Sequence, residues 1–337
     1  MRKTCFSLLI GFSLFLISCS QKKTSESFTA MNTFMTVSLY SSSSKRGETV
    51  CHQIQSRVDE LEQILSTTLP SSDVFFINHN SNFPASLKPE LQTLIDFSKL
   101  IYEKTEGAFN PALYPVIREW GFTTGEYKVP STEKIQELLS HTDFSKLYDD
   151  EKIELDFGAV GKGCAADEAL LILEENGIKS ALLDFGGNIQ ALGKKPDGSL
   201  WKVGIKNPWD GQVACALSVE SKAVVTSGGY ERFFEEAGHR YIHIFDPATG
   251  RPIQNDLESM TIVCESGKYA DALSTALFVM GKDKAIYWWK KQMAEKSFPV
   301  FDFILITKEQ QLIYSSGLAG FIEPMYQFES VESVMPD

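Results

Sequence analysis

The sequence predicts a single α+β domain with a mixed, largely antiparallel sheet and packed helices. Three observations carry that expectation. Short apolar runs of strand type outnumber the helical ones. Several neighbouring runs are joined by tight Gly, Asp or Pro turns, Pro196-Asp197-Gly198 among them, as hairpins require. No internal repeat, heptad, low-complexity block or linker divides the chain beyond its first residues, so one domain suffices.

Residues 1–18 read as a signal peptide. Arg2 and Lys3 precede an apolar run, Phe6 to Ile17, that is too short to span a bilayer comfortably. The run ends Leu16-Ile17-Ser18-Cys19, which resembles the bacterial lipoprotein cleavage box, where the cysteine becomes the lipidated first residue. Cys19 is therefore the expected lipid attachment point. An ordinary secretory signal or a hydrophobic anchor is the competing reading. Ser20 rather than aspartate follows the cysteine, favouring an outer-membrane over an inner-membrane anchor, with the protein facing the periplasm. Residues 19–27 are expected to tether a folded domain of residues 28–337.

Within that domain, Phe34 to Tyr40 alternates as a strand. Glu48 to Leu65 carries Val50, Ile54, Val58, Leu61 and Leu65 at helical spacing. A second helix is expected from Leu87 to Thr105, with Pro89 near its start and Gly107 past its end, and a short one from Thr132 to His141. Ile153 to Phe157 reads as a buried strand feeding a glycine turn, then a helix from Cys164 to Glu175 closed by Asn176-Gly177. Further strands are expected at 181–185, 201–205, 213–220, 223–226, 241–245, 261–264 and 301–307. A long helix runs from Tyr269 to Met280.

Composition narrows the function. With 43% hydrophobic and 23% charged residues the chain can bury a substantial core. Its net charge is -12, and it grows more negative once Arg2 and Lys3 leave. No basic run neutralises phosphates, so nucleic acid is excluded as a partner. An anionic ligand has to be held by a metal and local dipoles instead. Cys51, Cys164, Cys215 and Cys264 are widely spaced within apolar patterns; no pair has zinc-site spacing, and they read as small core residues.

Two motifs carry the chemistry. In Leu155-Asp-Phe-Gly-Ala-Val-Gly-Lys162 a carboxylate, a glycine-rich turn and a lysine open a helix, whose N-terminus favours negative charge. Its spacing is neither a P-loop nor a dinucleotide fingerprint. Asp271 and Thr275 lie at i and i+4 on one helix face and offer the hard oxygen ligands that suit Mg²⁺. Alone, the first reads equally as a structural joint and the second as a solvated face or helix cap. Together they point to a metal-assisted enzyme working on a diphosphate. His243, in a strand-like run before the turn Asp246-Pro-Ala-Thr-Gly250, is the candidate general base near neutral pH.

These segments occur in one order with Met31-Asn-Thr33, Gly107-Ala-Phe-Asn-Pro111, Trp120-Gly-Phe122, Gly186-Gly-Asn188, Thr226-Ser-Gly and Ala270-Asp-Ala-Leu-Ser-Thr275. The set resembles the ApbE-type FAD:protein FMN transferases throughout the mature chain. The resemblance implies a single ApbE-like, T-fold-related domain, often membrane-anchored in the bacterial envelope. It implies Mg²⁺-dependent transfer of FMN from FAD to a threonine hydroxyl of a target flavoprotein, releasing AMP. Carried over by motif, Asp271, Thr275 and the Ala159 carbonyl would hold the metal. Met31, Ala108, Phe109, Asn110, Asp156, Lys162 and Ser274 would line the FAD site, and His243 would take the proton of the incoming hydroxyl.

Three positions depart from the family pattern. Asn32 stands where glycine is usual, and Asn110 where aspartate is usual. Ser66-Thr67-Thr68-Leu69 lacks the aromatic residue many members place there to stack on a ring of FAD. Losing that ring would let water compete with the acceptor. A Mg²⁺-dependent FAD pyrophosphatase giving FMN and AMP is therefore the alternative activity, and a flavin-binding envelope lipoprotein the alternative without chemistry.

Overall fold

Among the described residues nine strands form the central sheet, and strand alternation decides what each face covers. The computed structural model describes residues 21–80, 86–149 and 153–336. The expected signal peptide and Cys19 lie outside the described residues. In chain order the elements begin β1 (Lys22–Ala30), β2 (Thr33–Ser41), α1 (Ser44–Leu65), α2 (Asp73–His79) and α3 (Pro89–Lys104). Then come α4 (Tyr114–Glu119), α5 (Thr132–Leu139), α6 (Gly161–Glu175), β3 (Ala181–Phe185) and β4 (Asn188–Leu192). Next are β5 (Trp201–Lys206), β6 (Val213–Val219), β7 (Ala223–Gly228), β8 (Phe233–Glu236) and β9 (His239–Ile242). They are followed by β10 (Phe245–Asp246), β11 (Arg251–Pro252), β12 (Leu257–Cys264), α7 (Gly267–Met280) and α8 (Lys282–Glu295). The chain closes with β13 (Asp302–Thr307), β14 (Gln311–Ser315), β15 (Ile322–Pro324) and β16 (Ser330–Val334).

The main sheet runs β1-β2-β3-β4-β7-β12-β13-β14-β16. Its neighbours are antiparallel except β14 and β16, which are parallel, so the sheet is mixed and largely antiparallel as expected. Ala223 and Val225 of β7 turn one way, into the core shared with α7. Val224, between them, turns the other way and packs with Trp201, Val203 and Leu217 of the three-stranded sheet β15-β6-β5. Helices, main sheet and small sheet are thus three layers, each apolar face closed by the next.

Two sequence readings change. Residues 22–27, expected as tether, belong to β1, which pairs with β2 from Lys22 opposite Ser41 to Ala30 opposite Thr33. Its polar residues mark an exposed sheet edge: Ser25 meets Ser38 at 2.9 Å and Ser27 meets Thr36 at 3.0 Å through their hydroxyls. Ile153 to Phe157 is extended but joins no sheet. Ile153, Leu155 and Phe157 are buried in alternation, and the side chain of Asn78 replaces a strand partner. Its Oδ1 accepts from the Leu155 amide (2.7 Å) and its Nδ2 donates to the Leu155 carbonyl (2.8 Å). The four cysteines in the described residues are free thiols, three of them buried. Among the described residues no helix is long and apolar enough to cross a membrane.

Candidate active site

The site forms where the N-terminal turns of α6 and α7 meet, and glycine makes that meeting possible. A Cβ on Gly163 would lie 2.2 Å from the Gly267 carbonyl oxygen and 2.7 Å from Asp271 Cβ. A Cβ on Gly267 would lie 2.6 Å from the Gly163 carbonyl oxygen. The close approach lets the Gly163 amide donate to Asp271 Oδ2 at 2.9 Å. In a regular helix that amide would serve the carbonyl four residues back, at Ala159. The Ala159 carbonyl is therefore spared its helical donor and left available to a ligand, beside a carboxylate whose Oδ1 has no protein donor among the described residues.

Asp271 is not the helix cap. That role falls to Asp167 of α6, which accepts from the Gly267 amide (2.5 Å) and from the Ser266 hydroxyl (2.7 Å). Burial pushes the Asp167 carboxyl above its ordinary range, and these donors oppose the rise. Asp271, in the second turn of α7, is free to serve a ligand. One turn on, Thr275 Oγ1 lies 3.1 Å from Ser227 Oγ of β7, which also meets Ser274 Oγ at 2.8 Å. Ser274 is fully buried and donates to the Asp271 carbonyl (2.9 Å), so it braces the helix turn between the two expected metal ligands.

A carboxylate oxygen, a threonine hydroxyl and a main-chain carbonyl are three hard donors of the kind Mg²⁺ takes, with water and phosphate completing its shell. Among the described residues no group of three His, Cys, Asp or Glu side chains gathers as a metal cage. The donor set and the bypassed carbonyl fit a divalent cation that shares its coordination with a bound diphosphate.

Gly163→Ala tests this joint. Alanine favours a helix over glycine by about 1 kcal/mol, but here its methyl meets backbone rather than a yielding side chain. We expect a net loss of about 1–3 kcal/mol in denaturant unfolding, as for other overpacked sites, with turnover falling too. A more stable variant of unchanged activity would show that the crossing is not needed.

Asp156, Lys162 and His243 come together around Arg232. Burial raises the Asp156 carboxyl above its ordinary range, against the Gly158 amide (2.7 Å to Oδ1) and the charges of Arg232 and Lys162. The same two cations act on His243, whose imidazole is pushed down to about 4, first by burial and then by Arg232. The strand expected across 241–245 breaks at this residue: β9 ends at Ile242 and β10 begins at Phe245. Both the His243 amide and its Nδ1 reach the Arg232 carbonyl, each at 3.1 Å. A carbonyl only accepts, so Nδ1 carries the proton and Nε2 keeps its lone pair. His243 is a neutral base, held in the tautomer that can receive a proton.

The segment is braced from behind. Trp120 Nε1 donates to the Gly250 carbonyl (3.0 Å), and the Trp120 ring packs against Tyr241 and Phe245. The Arg232 guanidinium donates to the Phe122 carbonyl. Asp246 closes its own turn as the sequence predicts, accepting from the Ala248 amide at 2.9 Å.

The other predicted ligand residues occupy mixed positions. The Asp156 amide donates to the Pro111 carbonyl (2.9 Å), joining the Gly107–Pro111 segment to the site. Ala108 packs partly buried against the core, while Phe109 is buried in it and its amide is taken by Thr105 Oγ1 at 3.2 Å. Asn110 is engaged at both ends: Oδ1 accepts from Ala112 (2.9 Å) and Nδ2 donates to the Thr142 carbonyl (2.9 Å). An aspartate could make the first bond but not the second, which accounts for this departure from the family pattern. Met31 and Asn32 form a two-residue hairpin turn with φ of 50° and 57°. Asparagine tolerates that left-handed conformation, so the usual glycine is dispensable. The Met31 amide is tied to Glu62 Oε1 (2.9 Å) on α1 rather than to the other site residues.

Sequence reasoning missed Ser227, Arg232, Asp167 and the Gly163–Gly267 contact. Ser227 stood within the Thr226-Ser-Gly motif, but nothing local shows that β7 lies under α7. A surface hollow of about 490 Å³ along α1, beside His52 and Arg57, touches none of the site residues.

A three-layer α+β domain whose paired helix starts present a carboxylate, a hydroxyl and a spared carbonyl, with a neutral histidine nearby, has the parts of a group-transfer enzyme for a phosphorylated substrate. The chain belongs to the ApbE family, whose profile matches residues 31–298. It is 33% identical over 287 residues to the FAD:protein FMN transferase of Treponema pallidum, covering 77% of this chain and 78% of the relative. It is 29% identical over 328 residues to the FAD:protein FMN transferase of Escherichia coli K12, covering 89% and 92%. Among solved structures, the ApbE protein of Thermotoga maritima superimposes with a TM-score of 0.79 at 30% identity, covering 89% of this chain and 99% of that one. The flavin transferase ApbE of Vibrio cholerae gives the same TM-score, 0.79, and the same coverage at 25% identity.

Proposed function

We propose that this protein is an FAD:protein FMN transferase that moves FMN from FAD to a threonine hydroxyl of a target flavoprotein, releasing AMP, in a Mg²⁺-dependent reaction. The observation that carries the reading is the Gly163–Asp271 hydrogen bond, which spares the Ala159 carbonyl beside a one-sided carboxylate. The names of the curated relatives support the transferase class. Asp271, Thr275 and the Ala159 carbonyl would hold the cation. When bound, Mg²⁺ draws charge from the diphosphate oxygens as it builds up.

The residues of this chain do the rest. His243 Nε2 takes the proton of the threonine hydroxyl as its oxygen bonds to the flavin-side phosphorus. The bridging P–O bond breaks, and AMP leaves with the electron pair. Lys162, in the first turn of α6, lowers the cost of charge on the diphosphate. The backbone around Asp156 and Ala108 orients the dinucleotide for in-line attack. Lipidation at Cys19 and a periplasm-facing anchor, outer membrane favoured, complete the proposal.

The products decide it. Purified protein is incubated with FAD, Mg²⁺ and a fragment of a flavoprotein bearing an acceptor threonine. Flavin attached covalently to the fragment supports transfer. Free FMN and AMP with an unlabelled fragment would make the protein an FAD pyrophosphatase, and unchanged FAD a binding protein.

A further inference from the structure

One residue on the sheet beneath the site is out of place. Across the main sheet Met35 pairs with Phe185, Phe185 with Asn188, Val225 with Ile262 and Ile262 with Phe303. β4 and β7 are paired with Ile189 opposite Val224 and Gln190 opposite Ala223, which sets Asn188 opposite Val225. The row therefore crosses six strands on the helix-facing side. Its other members are apolar and no more than 2% exposed; Asn188 is polar and 5% exposed, and its Nδ2 is buried without a hydrogen-bond partner. Leaving such a donor unmet is destabilising, so its retention in an apolar row calls for a use.

The place of Asn188 supplies one. β4 touches both α6 and α7, so Asn188 faces the pair of helices that meet at Gly163 and Asp271. Ser227, which holds Ser274 and Thr275, is two residues beyond Val225 on the same face of β7 and so diagonal to Asn188. We infer that Asn188 is a positioning residue for the metal site: its Nδ2 donates through a buried water to the open Oδ1 of Asp271 and fixes the carboxylate for the cation. Water is the natural bridge, because it can accept from the unmet Nδ2 and donate to the open carboxylate oxygen. The inference rests on Asp271 as a metal ligand. Partners of this kind around a ligand typically change metal affinity 10–100-fold when removed.

The test separates positioning from mere burial. Asn188→Leu keeps the shape and removes the unmet donor. A purely structural amide predicts a variant at least as heat-stable as the parent with unchanged metal binding. Positioning predicts the same or higher melting temperature together with an affinity for Mn²⁺ at least about 10-fold weaker. Mn²⁺ is titrated into the full chain by electron paramagnetic resonance, with and without FAD. Asn188→Ser, which keeps a donor and leaves room for water, is the second variant and is expected to lose less affinity than Asn188→Leu. Gln190→Leu is the control: its Oε1 is also buried and unpaired on the same face, but opposite Ala223 and so one repeat further from Ser227, and Mn²⁺ affinity should not change. Parental Mn²⁺ affinity in Asn188→Leu or, if that fails to fold, in Asn188→Ala, which also lacks the donor, overturns the inference. If the parent takes up no Mn²⁺ that Asp271→Ala abolishes, the metal reading itself falls, and the role of Asn188 with it.

Discussion

Asp271→Ala is expected to abolish FAD turnover, with a loss of about 10³-fold or more, the scale on which removing a group that stabilises transition-state charge acts. The carboxylate has two jobs, and the substitution ends both. It removes the one acidic ligand of the proposed metal site, and it frees the Gly163 amide to return to the Ala159 carbonyl, which is then spent as an ordinary helical acceptor. Chelation by EDTA should give the same loss in the parent, restored by Mg²⁺. Asp271→Asn would keep an acceptor for Gly163 without the charge, so it should preserve the melting temperature and lose the activity. Turnover at the parental rate in the alanine variant would refute the metal assignment.

The second large effect is expected at His243. His243→Ala should slow transfer by about 10²–10⁴-fold, the usual contribution of a general base, and leave FAD affinity near the parental value. A large loss of FAD binding would instead make His243 a ligand contact. The imidazole is held at about 4, against 6.5 for the unperturbed group, because burial and the Arg232 charge disfavour its protonated form. It is thus neutral throughout the neutral range, and kcat/KM should show no acidic limb near pH 6.5. An anion in the site opposes Arg232 and Lys162, so the limb should sit higher in kcat than in kcat/KM.

The same depression bears on stability. Between the folded and unfolded values the unfolded chain binds more protons, so the contribution of His243 is complete above about pH 6.5 and is lost as pH falls toward 4. Replacing His243 by Gln should flatten that part of the stability profile in denaturant titrations at successive pH values. A kcat/KM limb at pH 6.5 in the parent would contradict a half-buried base held neutral.

Much of the architecture was legible because local pattern and global fold agree. The helix over Glu48–Leu65 and the strands around Phe34, Ala181, Trp201 and Val213 follow directly from apolar spacing, since each buries one face. The readings failed where a polar side chain or a distant element took over a backbone role. Ile153–Phe157 has a strand's alternation, yet its hydrogen bonds go to Asn78, far away in sequence. Residues 22–27 look like a tether because β1 is a sheet edge, where hydroxyls rather than apolar residues line the exposed face. The run 241–245 looks continuous, but β9 ends at Ile242 and β10 begins at Phe245, with His243 between them bonded to the Arg232 carbonyl.

The site divides in the same way. Asp271, Thr275, Asp156, Lys162 and His243 could be chosen from the sequence because carboxylate, hydroxyl, amine and imidazole advertise their chemistry. What fits them together is carried by groups without such a signature. Gly163 and Gly267 matter for the side chains they lack, and Ser227 for the helix it lies under. Arg232 fixes the His243 tautomer through its carbonyl, which any residue could supply.

Anomalous scattering from Mn²⁺ soaked with FAD into crystals of the protein tests the central claim most directly. A peak within coordination distance of the Asp271 carboxylate, the Thr275 hydroxyl and the Ala159 carbonyl, and next to the diphosphate, is the predicted result. Bound FAD with no peak there, or with the cation held by other side chains, would contradict it.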